Sequence, residues 1–198
     1  MQLDIPAGDF AGYIFDLDGT LVDTMPLHYA AWRDTLREFG LGRDLSEELF
    51  YSLGGVPATQ VAELINQYYG TRFDPMAVRT AKEVRCAALL PGAPLIEPVV
   101  AFARRVAAAH QVGVASGGPH EVVRATLAFC GLDHLFPVVV GADDVRHGKP
   151  APDTFLLAAE KMGVPAEQCL VFEDAELGIQ AAAAAGMKWV RVPRLNGA

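Results

Sequence analysis

Cysteine is scarce in this 198-residue sequence, and the few cysteines form no pattern. The chain contains three, Cys86, Cys130 and Cys169, with no C-x-x-C spacing among them. An odd number of unrelated cysteines indicates neither a disulfide framework nor a zinc site. We therefore expect the three thiols to be small buried side chains.

The sequence also lacks a membrane-spanning apolar run and an excess of basic residues, and both absences narrow the classes of binding partner. No apolar run is long enough to cross a bilayer, and the N-terminal MQLDIPAGDF has no basic region followed by an apolar stretch, so we expect a cytoplasmic protein without membrane contact. Basic residues are outnumbered, with 16 Lys and Arg against 24 Asp and Glu and a formal charge of -8. This balance argues against nucleic acid as a partner, and a small anionic substrate would need donor groups close by.

Short apolar runs alternate with helical patterns throughout the second half of the chain, and one further apolar run lies near the N-terminus. Because these runs are apolar on both faces, they predict parallel strands covered by helices on either side, an α/β doubly wound fold. The predicted strands are 11–15, 111–116, 136–141, 169–174 and 188–192. The predicted helices that follow them are 97–109, 119–129, 152–162 and 175–185.

A long segment between the first two strands carries apolar residues at three- and four-residue spacing, which predicts helices only. We expect a small all-helical domain at 25–91, inserted into a core made of 1–24 and 92–198. Trp32, Tyr68 and Tyr69 lie at helical spacing in this insertion, and core packing is the expected role of all three.

Polar residues follow several of the predicted strands, at the edge where open parallel sheets bind ligands. In DLDGT, Asp16 and Asp18 point to the same side of an extended chain, and Gly19 permits a sharp turn. Two carboxylates this close require a cation nearby or a shared proton. A solvated Asp-Gly turn is the alternative.

Three other strand ends carry groups suited to an anion or a metal. In ASGGPH, Ser116 and the backbone N–H groups before a helix would cradle a phosphate, although a plain strand-to-helix turn explains them equally well. Lys149 lies between glycine and proline in HGKPAPDTF and could supply a positive charge, or could simply be solvated. Glu173 and Asp174 in VFEDAELG could ligate Mg²⁺ or cap the next helix.

These motifs occur in one order, a carboxylate pair, a hydroxyl, a lysine and a second carboxylate pair, and this order resembles the haloacid dehalogenase-like hydrolase superfamily. The resemblance implies a doubly wound core with a helical cap inserted after the first strand. It also implies that Asp16 is the nucleophile and Asp18 the general acid and base. Ser116, the Gly117 N–H and Lys149 would hold phosphoryl oxygens. Mg²⁺ would be bound by Asp16, the Asp18 carbonyl and Asp174, with Glu173 close by.

Within the superfamily, the sequence is most similar to β-phosphoglucomutase-like proteins, and among them to fructose-1-phosphatase-like sugar phosphatases, through HYAAWRDTL, KPAPDTFLLAAEKMGV and VFEDAELGIQAA. In the mutase, a lysine and an arginine stand where this chain has Gly54 and Ala58, so the resemblance favours hydrolysis. Thr24 and His28 match positions at the mutase's hinge and cap entrance. His28 is a candidate contact to Asp18 or to the substrate, or simply a packed histidine. Lys82, the only lysine of the insertion, carries no recognisable motif.

The expected function is therefore a Mg²⁺-dependent phosphatase that hydrolyses small sugar phosphates through an aspartyl phosphate. Its expected partner is the phosphorylated sugar alone, and a monomer is assumed. Two alternatives remain: a β-phosphoglucomutase-type phosphomutase, and a non-catalytic Mg²⁺-binding module like a receiver domain. The second alternative lacks a reason for DLDGT at the first strand and for the helical insertion.

Overall fold

The computed structural model describes residues 1–194 and divides the chain into two compact units. One unit consists of Met1–Asp23 together with 94–194, and the other is Thr24–Ala93. The helices are α1 (Met25–Glu38), α2 (Glu47–Ser52), α3 (Ala58–Tyr69), α4 (Pro75–Leu89), α5 (Glu97–Val106), α6 (His120–Phe129), α7 (Asp153–Met162) and α8 (Glu176–Ala184). The strands are β1 (Gly12–Phe15), β2 (Gln111–Ala115), β3 (Val138–Val140), β4 (Cys169–Glu173) and β5 (Lys188–Arg191).

The first unit is built on a five-stranded sheet in the order β3-β2-β1-β4-β5, and every neighbouring pair is parallel. Strand β1 is the central strand, and its two neighbours, β2 and β4, come much later in the chain. The α/β fold class and all the predicted strands are thereby confirmed, with ends that differ by one or two residues.

Strands β1, β2 and β4 are buried on both faces except at Gln111, which is why they read as apolar runs, whereas the edge strand β5 is mostly exposed. Ile14 and Val171 pack on one face in a cluster with Phe155 of α7 and Ala182 of α8. On the opposite face, Phe15 stacks on Phe172 with ring centroids 4.8 Å apart, and Phe102 of α5 lies 4.8 Å from the Phe172 ring. Alternating side chains of one strand thus serve two helical layers.

The second unit contains helices α1 to α4, and no strand lies within Thr24–Ala93. Its core is an apolar cluster made by Trp32, Leu36, Leu41, Leu45, Phe50, Val61, Ala62, Ile65 and Val78. Trp32 is buried and Tyr69 packs against this cluster, as expected. The prediction for Tyr68 was wrong: its side chain is 64% exposed, because it lies on the outer face of α3.

The cysteines are largely as expected. Cys86 and Cys169 are buried, Cys130 is half-buried, and none of the three is in a disulfide. No helix within residues 1–194 is long and apolar enough to span a membrane.

Candidate active site

Lys149 lies at the centre of a buried cluster of charges at the carboxyl edge of the sheet. Its Nζ donates hydrogen bonds to Oδ1 of Asp16 at 2.7 Å and to Oε2 of Glu173 at 2.6 Å. All three side chains are at most 8% exposed. Asp16 lies 133 positions and Glu173 24 positions from Lys149 in the sequence. The three residues nevertheless form one ion-pair network.

The parallel pairing of β1 with β4 brings the carboxylates together. Phe15 lies opposite Phe172 in this register, and the Asp16 N–H donates to the Phe172 carbonyl at 2.9 Å. Asp16 thus leaves β1 beside Glu173, the last residue of β4. Lys149 lies in the loop between β3 and α7 and is joined to Pro150 by a cis peptide bond.

The turn after Asp16 is shaped around Asp174. The Thr20 hydroxyl donates to Oδ1 of Asp174 at 3.3 Å, and both residues are buried. Gly19 has a φ of +84°, and a Cβ atom at this position would lie 2.7 Å from Oδ2 of Asp174. Glycine is needed here for its backbone conformation and for the close approach of the carboxylate. Asp18 stays beside Val22 through a parallel bridge.

Glu173 occupies a site that depends on two residues of the following helix region. The Ala175 N–H donates to Oε1 of Glu173 at 3.0 Å. A Cβ atom at Gly178 would overlap the Glu173 carboxylate, so α8 needs glycine here in order to pack against it. Sequence reasoning did not identify Gly178 or Thr20, and the only available signal was a glycine inside a helical pattern.

Burial and mutual repulsion dominate the electrostatics. Burial raises the pKa of Asp16 well above its usual value, and the charge of Glu173 adds to this, whereas Lys149 opposes it. Burial and Glu173 also raise the pKa of Asp174, to about 7. Burial alone would lower the pKa of Lys149, but the charges of Asp16 and Glu173 outweigh it and raise that pKa. The lysine therefore stays protonated while the carboxyl groups compete for further positive charge.

The donor set fits a divalent metal. Asp16, Glu173 and Asp174 each place a carboxylate oxygen within 4.8 Å of the others'. Carboxylate oxygens are the hard ligands that Mg²⁺ and Ca²⁺ prefer, whereas Zn²⁺ sites favour nitrogen and sulfur. A bound cation would also relieve the repulsion that raises the pKa of Asp16 and Asp174.

Ser116 and Gly117 follow β2 at the same edge of the sheet as Asp16. The pairing of Phe15 with Val114 makes β1 and β2 neighbours, and the Ser116 N–H donates to the Val140 carbonyl of β3 at 3.0 Å. The buried Ser116 hydroxyl oxygen accepts from the Gly118 N–H at 3.0 Å. The predicted anion-binding turn thus lies between a buried serine and the beginning of α6.

Thr24 and His28 belong to the helical unit. Thr24 is buried at the N-terminus of α1. His28 Nδ1 lies 2.7 Å from Nζ of Lys82, which is also buried, and 3.7 Å from Sγ of Cys86. Sequence reasoning missed this His-Lys pair because its members are 54 residues apart and Lys82 lies in no recognisable motif.

Comparison with known proteins places the chain in a family. A family model described as haloacid dehalogenase-like hydrolase matches residues 10–186. The chain belongs to this family of hydrolases. The resemblance inferred from the strand-end motifs is confirmed, and the clustered residues all lie within the matched region.

Named relatives of this haloacid dehalogenase-like hydrolase include sugar phosphatases. The chain is 42% identical to the fructose-1-phosphate phosphatase YqaB of Escherichia coli over 92% of its own length and 96% of the relative's. It is 29% identical to a phosphorylated carbohydrates phosphatase of Thermotoga maritima, covering 88% of this chain and 81% of the relative. A crystal structure of CbbY from Rhodobacter sphaeroides in complex with xylulose-(1,5)bisphosphate matches with a TM-score of 0.75 and 25% identity, covering 91% of this chain and 84% of that one.

Proposed function

We propose that this protein is a metal-dependent phosphatase that hydrolyses the monoester bond of small sugar phosphates. The observation that carries the proposal is the buried network of Asp16, Lys149, Glu173 and Asp174, which concentrates a nucleophilic carboxylate and metal-ligating oxygens at one strand edge. The two named sugar phosphatases among the relatives support the reaction and the substrate class. Fructose 1-phosphate and related hexose and pentose phosphates are the substrates to test first.

Asp16 would attack phosphorus, form an aspartyl phosphate and release the sugar alcohol. Asp18 would protonate the departing oxygen and then take a proton from the water that cleaves the intermediate. The two carboxyl groups must divide these roles, because one has to be ionised when the other carries a proton. Lys149 favours the ionised form of Asp16, whereas burial and the charge of Glu173 raise its pKa. Ionisation of Asp16 would therefore depend on a cation bound beside it.

Mg²⁺ is the proposed metal, with Asp16, Asp174 and the Asp18 carbonyl as its ligands and Glu173 close by. When bound, it would allow an anionic nucleophile to approach an anionic phosphate and would spread the charge of the transition state. The residues that hold the phosphoryl oxygens would be Ser116, the Gly117 N–H and Lys149. These donors would supply the local positive potential that a chain of net charge -8 otherwise lacks.

Phosphomutase activity is the rival reaction, since β-phosphoglucomutase-like proteins share this fold. A mutase must retain a bisphosphate while it reorients, and Gly54 and Ala58 carry no charged group that could hold it. Hydrolysis therefore remains the better proposal. A receiver-like module without turnover would bind Mg²⁺ but release no phosphate.

A substrate panel tests the proposal. Phosphate release is measured from hexose and pentose phosphates, with Mg²⁺ and with a chelator, for the wild type and for Asp16→Asn. We expect Mg²⁺-dependent release by the wild type and a loss of about a thousandfold or more in the variant, because a carboxamide is not a nucleophile. The exposed Asp133→Asn is the matched control. An isomerised sugar phosphate without inorganic phosphate would indicate a mutase instead.

A further inference from the structure

A third acidic pair, Asp143 and Asp144, lies outside the metal-ligating cluster and contacts the start of α6. Both residues belong to a short 3₁₀ turn, Ala142–Asp144, that follows β3. Oδ1 of Asp143 accepts from the His120 N–H at 2.7 Å. Oδ2 of Asp144 lies 2.6 Å from Nδ1 of His120 and accepts from the Gly141 N–H at 2.8 Å.

These bonds replace a cap that the local sequence cannot provide. Pro119 precedes α6, and it has no side-chain group that could accept from the first N–H of the helix. Asp143 supplies the missing acceptor from 23 residues away. The other nitrogen of the His120 imidazole has its own partner, because Nε2 accepts from Arg124 at 3.5 Å. The Nδ1–H is therefore available to donate to Asp144.

The same turn holds the proposed phosphate loop, residues 116–119, through its backbone. The Ala142 N–H donates to the Gly118 carbonyl at 2.8 Å, and the Ser116 N–H donates to the Val140 carbonyl at 3.0 Å. Gly141 fits closely against α6, because a Cβ atom there would overlap the His120 N–H and would lie 2.6 Å from the His120 Cα. The loop is therefore held at Ser116 by the last residue of β3 and at Gly118 by the turn that follows this strand.

We propose that Asp143 and Asp144 are positioning residues that orient the phosphate loop for the proposed phosphatase reaction. A carboxylate cannot donate to phosphate, and its charge beside an anion site opposes binding. Its benefit must come from the hydrogen bonds to His120 and Gly141, which hold the turn that contacts the loop at Gly118. This inference rests on the proposed function, because it assumes that the loop binds the phosphoryl group.

The two opposing effects can be separated by substitution. Asp143→Ala removes the acceptor and the charge, whereas Asp143→Asn removes the charge and keeps an oxygen that can accept from the His120 N–H. If the hydrogen bond matters, we expect Asp143→Ala to weaken the binding of inorganic phosphate about fivefold to tenfold, the usual effect of one hydrogen bond. Asp143→Asn should bind phosphate as tightly as the wild type or more tightly.

The experiment measures the Kd of inorganic phosphate by calorimetry in the presence of Mg²⁺, together with KM, kcat and Tm. Asp133→Asn is the control, since its carboxylate is 59% exposed and lies in the connection after α6. Gly141→Ala should reproduce the effect of Asp143→Ala by forcing the turn away from His120, whereas Gly42→Ala, where nothing lies within 4 Å of an added Cβ atom, should not.

A higher KM and a higher phosphate Kd for Asp143→Ala, restored by Asp143→Asn, would support the proposal. A lower Tm with unchanged KM and Kd would overturn it, because the pair would then be structural only. If Asp143→Ala does not fold, a fivefold or greater loss of phosphate affinity in Asp143→Asn overturns it, and a smaller change supports it. Absence of hydrolysis by the wild type would instead reject the proposed function, and phosphate binding would still test the loop.

Discussion

Lys149 is the residue on which the charges of the buried cluster depend. It is the partner of both Asp16 and Glu173, at 2.7 and 2.6 Å, and all three are nearly inaccessible to water. Removing one partner of a buried ion pair usually costs more than the pair itself contributes, because the remaining charge stays desolvated. In this cluster, removal of the lysine would leave two carboxylates facing each other.

We therefore predict that Lys149→Gln lowers the free energy of unfolding by about 3 kcal/mol in metal-free protein near neutral pH. Urea denaturation measures this change, and exposed Lys161→Gln is the control. Mg²⁺ should restore part of the lost stability, because the cation would occupy the space between the carboxylates. A loss no larger than that of the control would show that Lys149 does not balance these charges.

Among the secondary-structure elements, the junction of β4 and α8 is the most restrictive. The strand ends with Glu173, whose carboxylate accepts from the Ala175 N–H and lies directly against Gly178 of α8. The helix can approach the strand end only where a side chain is missing. The position of Glu173, and through it that of Lys149, therefore depends on the packing of α8.

Gly178→Ala is expected to destabilise the protein by about 1–3 kcal/mol, although alanine is the better helix former, because its methyl group would displace the Glu173 carboxylate. The double variant Gly178→Ala with Glu173→Ala should recover part of that loss, since the clash is removed. Thermal unfolding of the single and double variants measures the coupling between the two positions. Strictly additive losses would contradict the packing described here.

At the level of strands and helices, the sequence was sufficient because both signals are local. An apolar run of five or six residues indicates a strand that is buried on both faces, and apolar residues at three- and four-residue spacing indicate a helix that is buried on one face. Every predicted strand and the core helices were therefore found. Helix α5 ends at Val106, before the predicted residue 109, because the pattern does not show where backbone bonding stops. The contacts of Lys149 with Glu173 and of His28 with Lys82 could not be predicted, since they depend on which helices and strands pack together.

The candidate site was predicted only as far as strand ends can indicate it. Motif order correctly suggested that Asp16, Lys149 and Asp174 lie close together at one edge of the sheet, and the contact of Lys149 with Asp16 and the cluster of Asp16 with Asp174 show this proximity. The exposed side chain of Tyr68 shows where the sequence pattern was insufficient. Spacing placed this tyrosine on a helix, but its orientation depends on how α3 packs in the helical unit.

For the molecule as a whole, the buried carboxyl groups link stability to pH. The pKa of Asp16 and that of Asp174 are raised in the folded protein, the latter to about 7. Between the unfolded and the folded pKa, the folded state binds more protons than the unfolded state, so stability falls as the pH rises. Lys149 does not reverse this trend near neutrality, because it is protonated in both states there.

We predict that the Tm of metal-free protein decreases between about pH 5 and about pH 8 and that saturating Mg²⁺ reduces this decrease. Differential scanning fluorimetry across this interval, with a chelator and with Mg²⁺, measures the effect. Asp174→Asn should flatten the metal-free profile, because this variant has one fewer carboxyl group to deprotonate. A metal-free Tm that rises over the same interval would contradict the raised pKa values.

The most direct test of the proposed reaction is to trap the covalent intermediate on Asp16. Enzyme turning over a sugar phosphate with Mg²⁺ is quenched with borohydride, which reduces an acyl phosphate to an alcohol, and the digested peptides are sequenced by mass spectrometry. We expect homoserine at position 16 only when substrate is present, with Asp18 unchanged. An unmodified Asp16, in enzyme that is releasing phosphate at its full rate and whose acyl phosphate is trapped at another residue, would contradict the proposed nucleophile.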